Sequence, residues 1–230
     1  MKHPLPFGVL VILIALALSA CGGGAAGGGE DQQARGRPLP KYGQASLPEG
    51  RYHTTEFEPS LSFRITGDDW RFEGPSGTLG DPEHPDYLFF QRVPAAEIAF
   101  FNLRKLKGVY DPRGPAGEIE PMPAPDELVG WFQQHPYLKT SKPEPISVAG
   151  VKGVQFDVVV VNMQKGDRCL SIFALSTGGP SDACDFHKVR YIVLEDVKGV
   201  PVVIYYGDEN FDEFVPVAEN VLQSVEWTGT

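Results

Sequence analysis

The first apolar feature of the chain is a run from Phe7 to Leu18 that no charged side chain interrupts. It follows a short start with one positive charge, Lys2, and it ends in small residues before Cys21. A charged start, an apolar run and small residues in this order are typical of a secretory signal peptide. A membrane-spanning helix needs about 20 apolar residues, so the run is too short to favour one. We therefore predict that residues 1–20 are a signal peptide that is removed on export.

Beyond residue 46, apolar residues recur at every second position in many short segments. Leu61, Phe63 and Ile65 alternate with polar neighbours, for example, and such alternation is typical of half-buried β-strands. The pattern predicts strands at residues 51–57, 61–65, 70–72, 87–93, 98–106, 145–148, 154–161, 169–176, 190–197 and 200–206. The last two are joined by the two-residue turn Lys198-Gly199, as in a β-hairpin.

Two segments carry the signals of short amphipathic helices instead. Residues 126–135 begin with acids, place Leu128, Trp131 and Phe132 on one face and end before Pro136, a helix stop. A second acid-led segment predicts a helix over residues 211–222. By contrast, residues 109–125 are rich in Pro and Gly and are predicted to form a long loop.

Residues 21–46 are rich in Gly and Pro and almost without apolar groups. Such a segment buries too little surface to offset its ordering entropy, which predicts a flexible tether. Residues 47–230 are then one globular domain. Its antiparallel sheet, flanked by two helices, gives an α+β fold class.

The chain has 230 residues and a formal net charge of −10. An acidic protein of this kind lacks the basic patch that nucleic acid requires, so we expect no nucleic-acid partner. Electrostatic attraction to anionic lipid is also disfavoured. Any membrane affinity must therefore come from an anchor.

Leu18-Ser19-Ala20-Cys21 resembles the bacterial lipoprotein box, in which the Cys is lipidated and becomes the first residue of the mature chain. Several acyl chains on one residue would hold the protein firmly, since each buried CH₂ contributes about 0.8 kcal/mol. The resemblance implies an extracytoplasmic protein whose membrane contact is the lipid on Cys21. The alternative is an ordinary secretory signal that ends in a chance cysteine.

Cys169 and Cys184 remain as an even pair, and the predicted compartment is oxidising. We predict a disulfide between them, which would stabilise the fold by about 3 kcal/mol in the chain-entropy model. A metal-binding pair and two free thiols are the alternatives. Nearby residues do not show the usual zinc-ligand spacing.

Candidate chemistry is sparse. The loop 81–86 holds three carboxylates and a histidine, which could ligate a metal, but its prolines favour a solvated turn. The same two interpretations, metal ligands or solvated groups, apply to Asp182, Asp185 and His187. We expect His53 and His135 to be surface or capping groups. The linear motifs of serine hydrolases, zinc metalloproteases and phosphate-loop proteins are absent from the sequence. No metal or cofactor is predicted.

The helix that ends at His135-Pro136, the turn Val148-Ala149-Gly150-Val151 and the closing run Val221 to Trp227 together resemble PsbP-like α/β/α sandwich domains. The resemblance covers roughly residues 47–227. It implies a binding or accessory role, because domains of this family are mostly partners of larger assemblies rather than enzymes.

Two functional hypotheses therefore stand. In the first, the protein is a non-catalytic lipoprotein that binds an envelope partner or an apolar ligand, with Tyr110, Met122, Trp131 and Tyr137 lining the site. In the second, it is an envelope hydrolase whose active site has no linear motif. A His hydrogen-bonded to a carboxylate and close to a Ser would favour the second.

Overall fold

The structure is a computed structural model that describes residues 36–40, 46–72, 83–112, 118–161, 169–177, 180–184 and 188–229. The predicted signal peptide, Cys21 and most of the predicted tether lie outside these ranges, as do Asp185 and His187. Within the described ranges, neither helix is long and apolar enough to cross a bilayer.

The described residues form seventeen β-strands and two α-helices. The strands are β1 Arg37–Pro38, β2 Gly50–His53, β3 Leu61–Ile65, β4 Trp70–Arg71, β5 Glu83–His84, β6 Tyr87–Arg92, β7 Ala96–Asn102, β8 Gly108–Tyr110, β9 Ile119–Glu120, β10 Leu138–Thr140, β11 Glu144–Val148, β12 Val151–Val160, β13 Cys169–Ala174, β14 Pro180–Cys184, β15 Lys188–Val197, β16 Val200–Asp208 and β17 Glu226–Trp227. The helices are α1 Pro125–Gln134 and α2 Phe211–Gln223. Both helices match their predicted positions, and the α+β class is confirmed.

A nine-stranded antiparallel sheet, the central sheet, organises the fold. Its main order is β10-β12-β15-β16-β7-β6-β4, with β11 also paired to β12 and β5 to β6. The predicted hairpin joins β15 to β16, and Lys198 and Gly199 at its turn have φ values of 52° and 86°. These left-handed angles are typical of a two-residue hairpin turn.

The two faces of the central sheet carry separate apolar cores, because successive side chains of a strand point to opposite faces. The first core joins the sheet to α2 and β3 and includes Phe63, Phe100 and Phe214. The second core joins it to α1 and β13 and includes Phe132, Phe173 and Tyr191. The helices therefore cover opposite faces.

Two smaller sheets complete the layers. The N-terminal sheet has the order β1-β2-β3-β17, with β1 parallel to β2, and the third sheet has the order β14-β13-β8-β9. The expectation of one antiparallel sheet was thus too simple. The predicted loop 109–125 also contains a strand, β9, which pairs with β8. The approach is so close that a Cβ on Gly108 would lie 1.9 Å from the Glu120 carbonyl oxygen, so only glycine fits there.

Residues 36–40 fall inside the segment predicted as tether, yet they pack on the domain. The Arg37 guanidinium donates to the carbonyl oxygens of Pro48 and Glu49, both at 2.9 Å, and it lies over the Tyr52 ring. Leu39 is buried in the first core. Residues 36–40, up to eleven positions before residue 47, therefore also contribute contacts to the domain.

Candidate functional site

Three aromatic side chains lie at and just beyond the C-terminal end of α1, and we call them the aromatic cluster: Trp131, His135 and Tyr137. The His135 ring centroid lies 5.0 Å from that of Trp131 and 6.1 Å from that of Tyr137, both in edge-to-face arrangements. His135 is the C-cap residue, with extended backbone angles, because the residue before a proline is driven out of the helical region. The turn that follows carries Tyr137 back towards the histidine.

His135 is only 4% exposed, whereas Trp131 and Tyr137 are half-buried. The Tyr137 backbone N–H donates to His135 Nδ1 at 3.3 Å, so the proton of the neutral ring resides on Nε2. Among the described residues, Nε2 is buried without a hydrogen-bond partner. Burial lowers the pKa of His135 to about 4. The ring is therefore a neutral donor at pH 7.

The residues predicted to bind a ligand are only partly brought together. Trp131 and Tyr137 flank His135, and Met122 and Trp131 each pack against the second core at its rim. Tyr110 lies at the end of β8, opposite Ile119 of β9, whose side chain is 45% exposed. Their roles in binding stay predictions.

The sequence interpretation of His135 captured its capping position but missed its burial. Two signals were present: the four-residue spacing from Trp131, which places both on one helix face, and the proline that follows. Neither signal indicates whether a ring nitrogen finds a partner, since that depends on tertiary packing.

A second group combines a histidine, a carboxylate and a serine. His84 Nδ1 contacts Asp86 Oδ1, and the same nitrogen lies 3.5 Å from Ser176 Oγ. Asp86 is 0% exposed, and its Oδ2 accepts the Ser176 backbone N–H at 2.7 Å. A catalytic triad instead places the acid and the nucleophile on different ring nitrogens. This group is a clamp that ties the β5–β6 turn to the segment after β13.

The acidic loop that contains this clamp is not the solvated turn that we expected. Glu83, like Asp86, is buried, and its Oε1 accepts the backbone N–H groups of Thr55, Glu56 and Phe57 at 2.6, 2.7 and 3.1 Å. Because these carboxylates are committed to internal hydrogen bonds, they are poorly placed to ligate a metal. Among the described residues, three or more His, Cys, Asp or Glu side chains nowhere form a group that could hold a metal ion.

An open pocket of about 250 Å³ lies where β10 ends, lined in part by Lys139, Asp157 and Lys188. Asp157 receives hydrogen bonds from Arg190 Nε at 2.6 Å and an ion pair from Lys188 Nζ at 2.9 Å. Burial alone would raise the pKa of Asp157, but these two cations outweigh it and hold the pKa below its usual value. The Asp157 carboxylate is thus already paired with two cations of the same chain.

Glu97 lies on the strand that carries Ala99 and Phe101, and by alternation it shares their face, that of the second core. Burial and, to a smaller extent, the nearby Asp182 charge raise its pKa to about 8. The same two carboxylates add to burial in raising the pKa of Tyr191. At pH 7, Glu97 is therefore mostly protonated.

Cys169 stands directly opposite Cys184 in the β13–β14 ladder. Opposed residues of antiparallel strands have Cα atoms about 4.5 to 5.5 Å apart, which falls within the roughly 4.4 to 6.8 Å that a disulfide spans. The register is compatible with the predicted bond, which stays a prediction.

No protein-family model matches the chain, and no curated protein sequence matches it significantly. Two solved structures are similar in part. PA94 of Pseudomonas aeruginosa, described as a protein of unknown function, is 16% identical with a TM-score of 0.36, over 66% of this chain and 93% of its own. LpqN of Mycobacterium tuberculosis, described as involved in cell envelope biogenesis, is 12% identical with a TM-score of 0.35, over 80% of this chain and 87% of its own. Both TM-scores are too low to assign a fold family or a function to this chain.

Proposed function

We propose that the protein is a non-catalytic binding module of the bacterial cell envelope, anchored by lipid on Cys21, whose aromatic cluster binds an apolar ligand or an envelope partner. The signal-like start and the lipoprotein box support the location. The resemblance to PsbP-like sandwich domains, which the α+β architecture accommodates, supports an accessory role. The net charge of −10 agrees with a partner other than nucleic acid.

The observation that carries the proposal is the unpartnered Nε2–H of His135 between two half-exposed aromatic rings. A buried donor without an acceptor costs about 1 to 3 kcal/mol of stability. Apolar surface joined to a few polar groups that await a partner is the usual composition of a ligand site. A binding role explains why the domain tolerates this cost.

The hydrolase hypothesis has less support. His84, Asp86 and Ser176 meet its composition, but the serine and the carboxylate approach the same ring nitrogen. With the Nδ1 proton on the carboxylate side, the histidine cannot also take a proton from Ser176 there. We expect Ser176→Ala to leave ligand binding at the aromatic cluster unchanged.

The location is tested by Cys21→Ser. The parent should partition into detergent on phase separation and release a lipidated N-terminal peptide, whereas the variant should stay an unprocessed or aqueous form. Equal partitioning of both proteins would remove the anchor from the proposal.

The binding role is tested by native mass spectrometry of the full chain purified from its own membranes. We expect a co-purified mass that Trp131→Ala and Tyr137→Ala reduce, with their melting temperatures used to confirm folding. Val93→Ala is the matched control, since Val93 is 42% exposed on the β6–β7 turn outside the cluster. A bound mass retained in both cluster variants would locate binding elsewhere.

A further inference from the structure

The direction of the hydrogen bond at His135 defines what a ligand must offer. Nδ1 accepts from the Tyr137 backbone N–H at 3.3 Å, so Nε2 carries the proton of the neutral ring. A donor is complemented only by an acceptor. An ammonium or guanidinium group carries no acceptor and cannot satisfy Nε2.

The surroundings of the ring define the rest of the ligand. Trp131 and Tyr137 approach His135 edge to face, and Trp131, like Met122 and Val129, packs against the second core at its rim. The cluster thus extends an apolar core to the surface and holds one polar donor within it. This arrangement complements a molecule with an apolar body and an oxygen at one end.

We propose that the aromatic cluster binds an amphiphile whose acyl chain packs on Trp131 and Tyr137 and whose oxygen accepts the hydrogen bond from His135 Nε2–H. The inference rests on the proposed function and specifies its ligand class. A fatty-acid carboxylate and the carbonyl of an acyl ester share this acceptor chemistry. The carboxylate forms the stronger bond, because an ionised acceptor strengthens a hydrogen bond.

Access requires a side chain to move, because Nε2 is closed off from solvent. Trp131 is held in α1, whereas Tyr137 lies beyond the helix in the turn before β10. Tyr137 is therefore the ring that a ligand displaces. Binding should change the environment of Tyr137 more than that of Trp131.

The test uses three probes with the same chain: dodecanoate, methyl dodecanoate and dodecylammonium, the last without an acceptor. The full chain is held in lipid nanodiscs, and the side-chain ¹⁵N and ¹H signals of His135 are followed by NMR. These signals report the site even when a probe also enters the bilayer. We expect the two oxygen probes to shift the Nε2–H signal and to bind roughly tenfold more tightly than dodecylammonium, the effect of satisfying one buried donor with a hydrogen bond.

His135→Phe is the decisive variant, because it keeps an aromatic ring and removes the donor. All three probes, followed by the Tyr137 signals, should then bind with similar affinity. His135→Gln, which restores an N–H donor, should recover part of the discrimination. Melting temperatures confirm that each variant is folded.

The inference is overturned if the parent binds the three probes equally, if His135→Phe still discriminates, or if none of the probes binds. Equal binding that Trp131→Ala abolishes would leave the proposed apolar-binding function standing. A co-purified mass without an acyl chain would likewise support binding and overturn the acyl ligand. Tighter binding of dodecanoate than of its ester would identify a free acid as the source of the acceptor.

Discussion

At the margin of the first core, Asp157, Lys188 and Arg190 keep their charges because they pair with one another. On the face of the second core, burial instead neutralises His135, whose pKa falls to about 4, and Glu97, whose pKa rises to about 8. Paired charges contribute to stability, whereas neutralised groups cost stability at one end of the pH range. The difference teaches that charged groups beside the first core stay ionised by pairing, whereas the titratable groups buried against the second core stay neutral.

The largest expected effect comes from removing a shared anchor of the second core. Phe132 is fully buried, and its ring lies 4.6 Å from that of Tyr191 and 5.3 Å from that of Phe156. Phe132→Ala should lower the free energy of unfolding by about 3 to 5 kcal/mol, measured by urea denaturation. Phe214→Ala in the first core is the matched control and should cost a similar amount, but only Phe132→Ala should also weaken probe binding at the aromatic cluster. Equal effects of the two variants on probe binding would contradict the proposed difference between the two faces of the sheet.

The third sheet, which helps to cover the second core, is tested through its cysteines. If Cys169 and Cys184 are bonded, Cys169→Ser should lower the free energy of unfolding by about 3 kcal/mol. Cys184→Ser should cost the same, and the double variant should cost no more than either single one. Mass spectrometry of non-reduced peptides provides an independent measurement. Two alkylatable thiols in protein purified from its native compartment would refute the bond.

A smaller loss is expected from breaking the charge network of the first face. Asp157→Ala leaves Arg190 and Lys188 without their shared partner and should cost about 1 to 3 kcal/mol in thermal or urea unfolding. Asp212→Ala is the control, because this carboxylate is 94% exposed and lies 3.8 Å from Lys188 Nζ. Its loss should stay within about 0.5 kcal/mol. A comparable loss in both variants would mean that the network contributes no more than a surface pair.

The pH dependence of stability should reveal His135. Its folded pKa of about 4 lies below the ordinary 6.5, so the unfolded chain takes up a proton that the folded chain refuses as pH falls. The stability that the neutral ring preserves is complete above 6.5 and is lost progressively towards pH 4. The free energy of unfolding, measured with urea at several pH values in this window, should depend less steeply on pH for His135→Phe than for the parent. Parallel slopes would show that the histidine is already accessible to protons in the folded state.

Glu97 should produce the opposite trend at higher pH. Its folded pKa of about 8 lies above the ordinary 4.5, so the folded state holds a proton that the unfolded state releases. This contribution is complete below 4.5 and is lost as pH rises to 8. Glu97→Gln should remove this loss. The melting temperature of the variant should therefore fall less between pH 5 and pH 8 than that of the parent. A variant with the parent's pH profile would place Glu97 in contact with water.

The sequence predicted the elements well because each depends on local pattern. Alternation located β3 and β12, and acids followed by an apolar face located α1. Which sheet a strand joins is not encoded in its own alternation, so the division into three sheets could not be read from it. The short strand β9 pairs only because Gly108 permits a close approach.

The candidate site was predicted in composition but not in geometry. Trp131 and Tyr137 were recognised as aromatic residues beside a helix end, and the structure places both against His135. The buried positions of Glu83 and Asp86 were missed, because a loop rich in acids and prolines has the same composition whether it is solvated or folded onto backbone N–H groups. Only tertiary contacts separate these cases.

The outer edge of the central sheet, formed by β10 and β11, has a consequence for behaviour at high local concentration. Pro145 lies in β11 and Pro143 just before it, and a proline in an edge strand offers no N–H to an incoming strand. Lys139, Lys142 and Glu144 add charges along the same edge. Molecules at high local concentration would therefore resist joining sheet to sheet into aggregates.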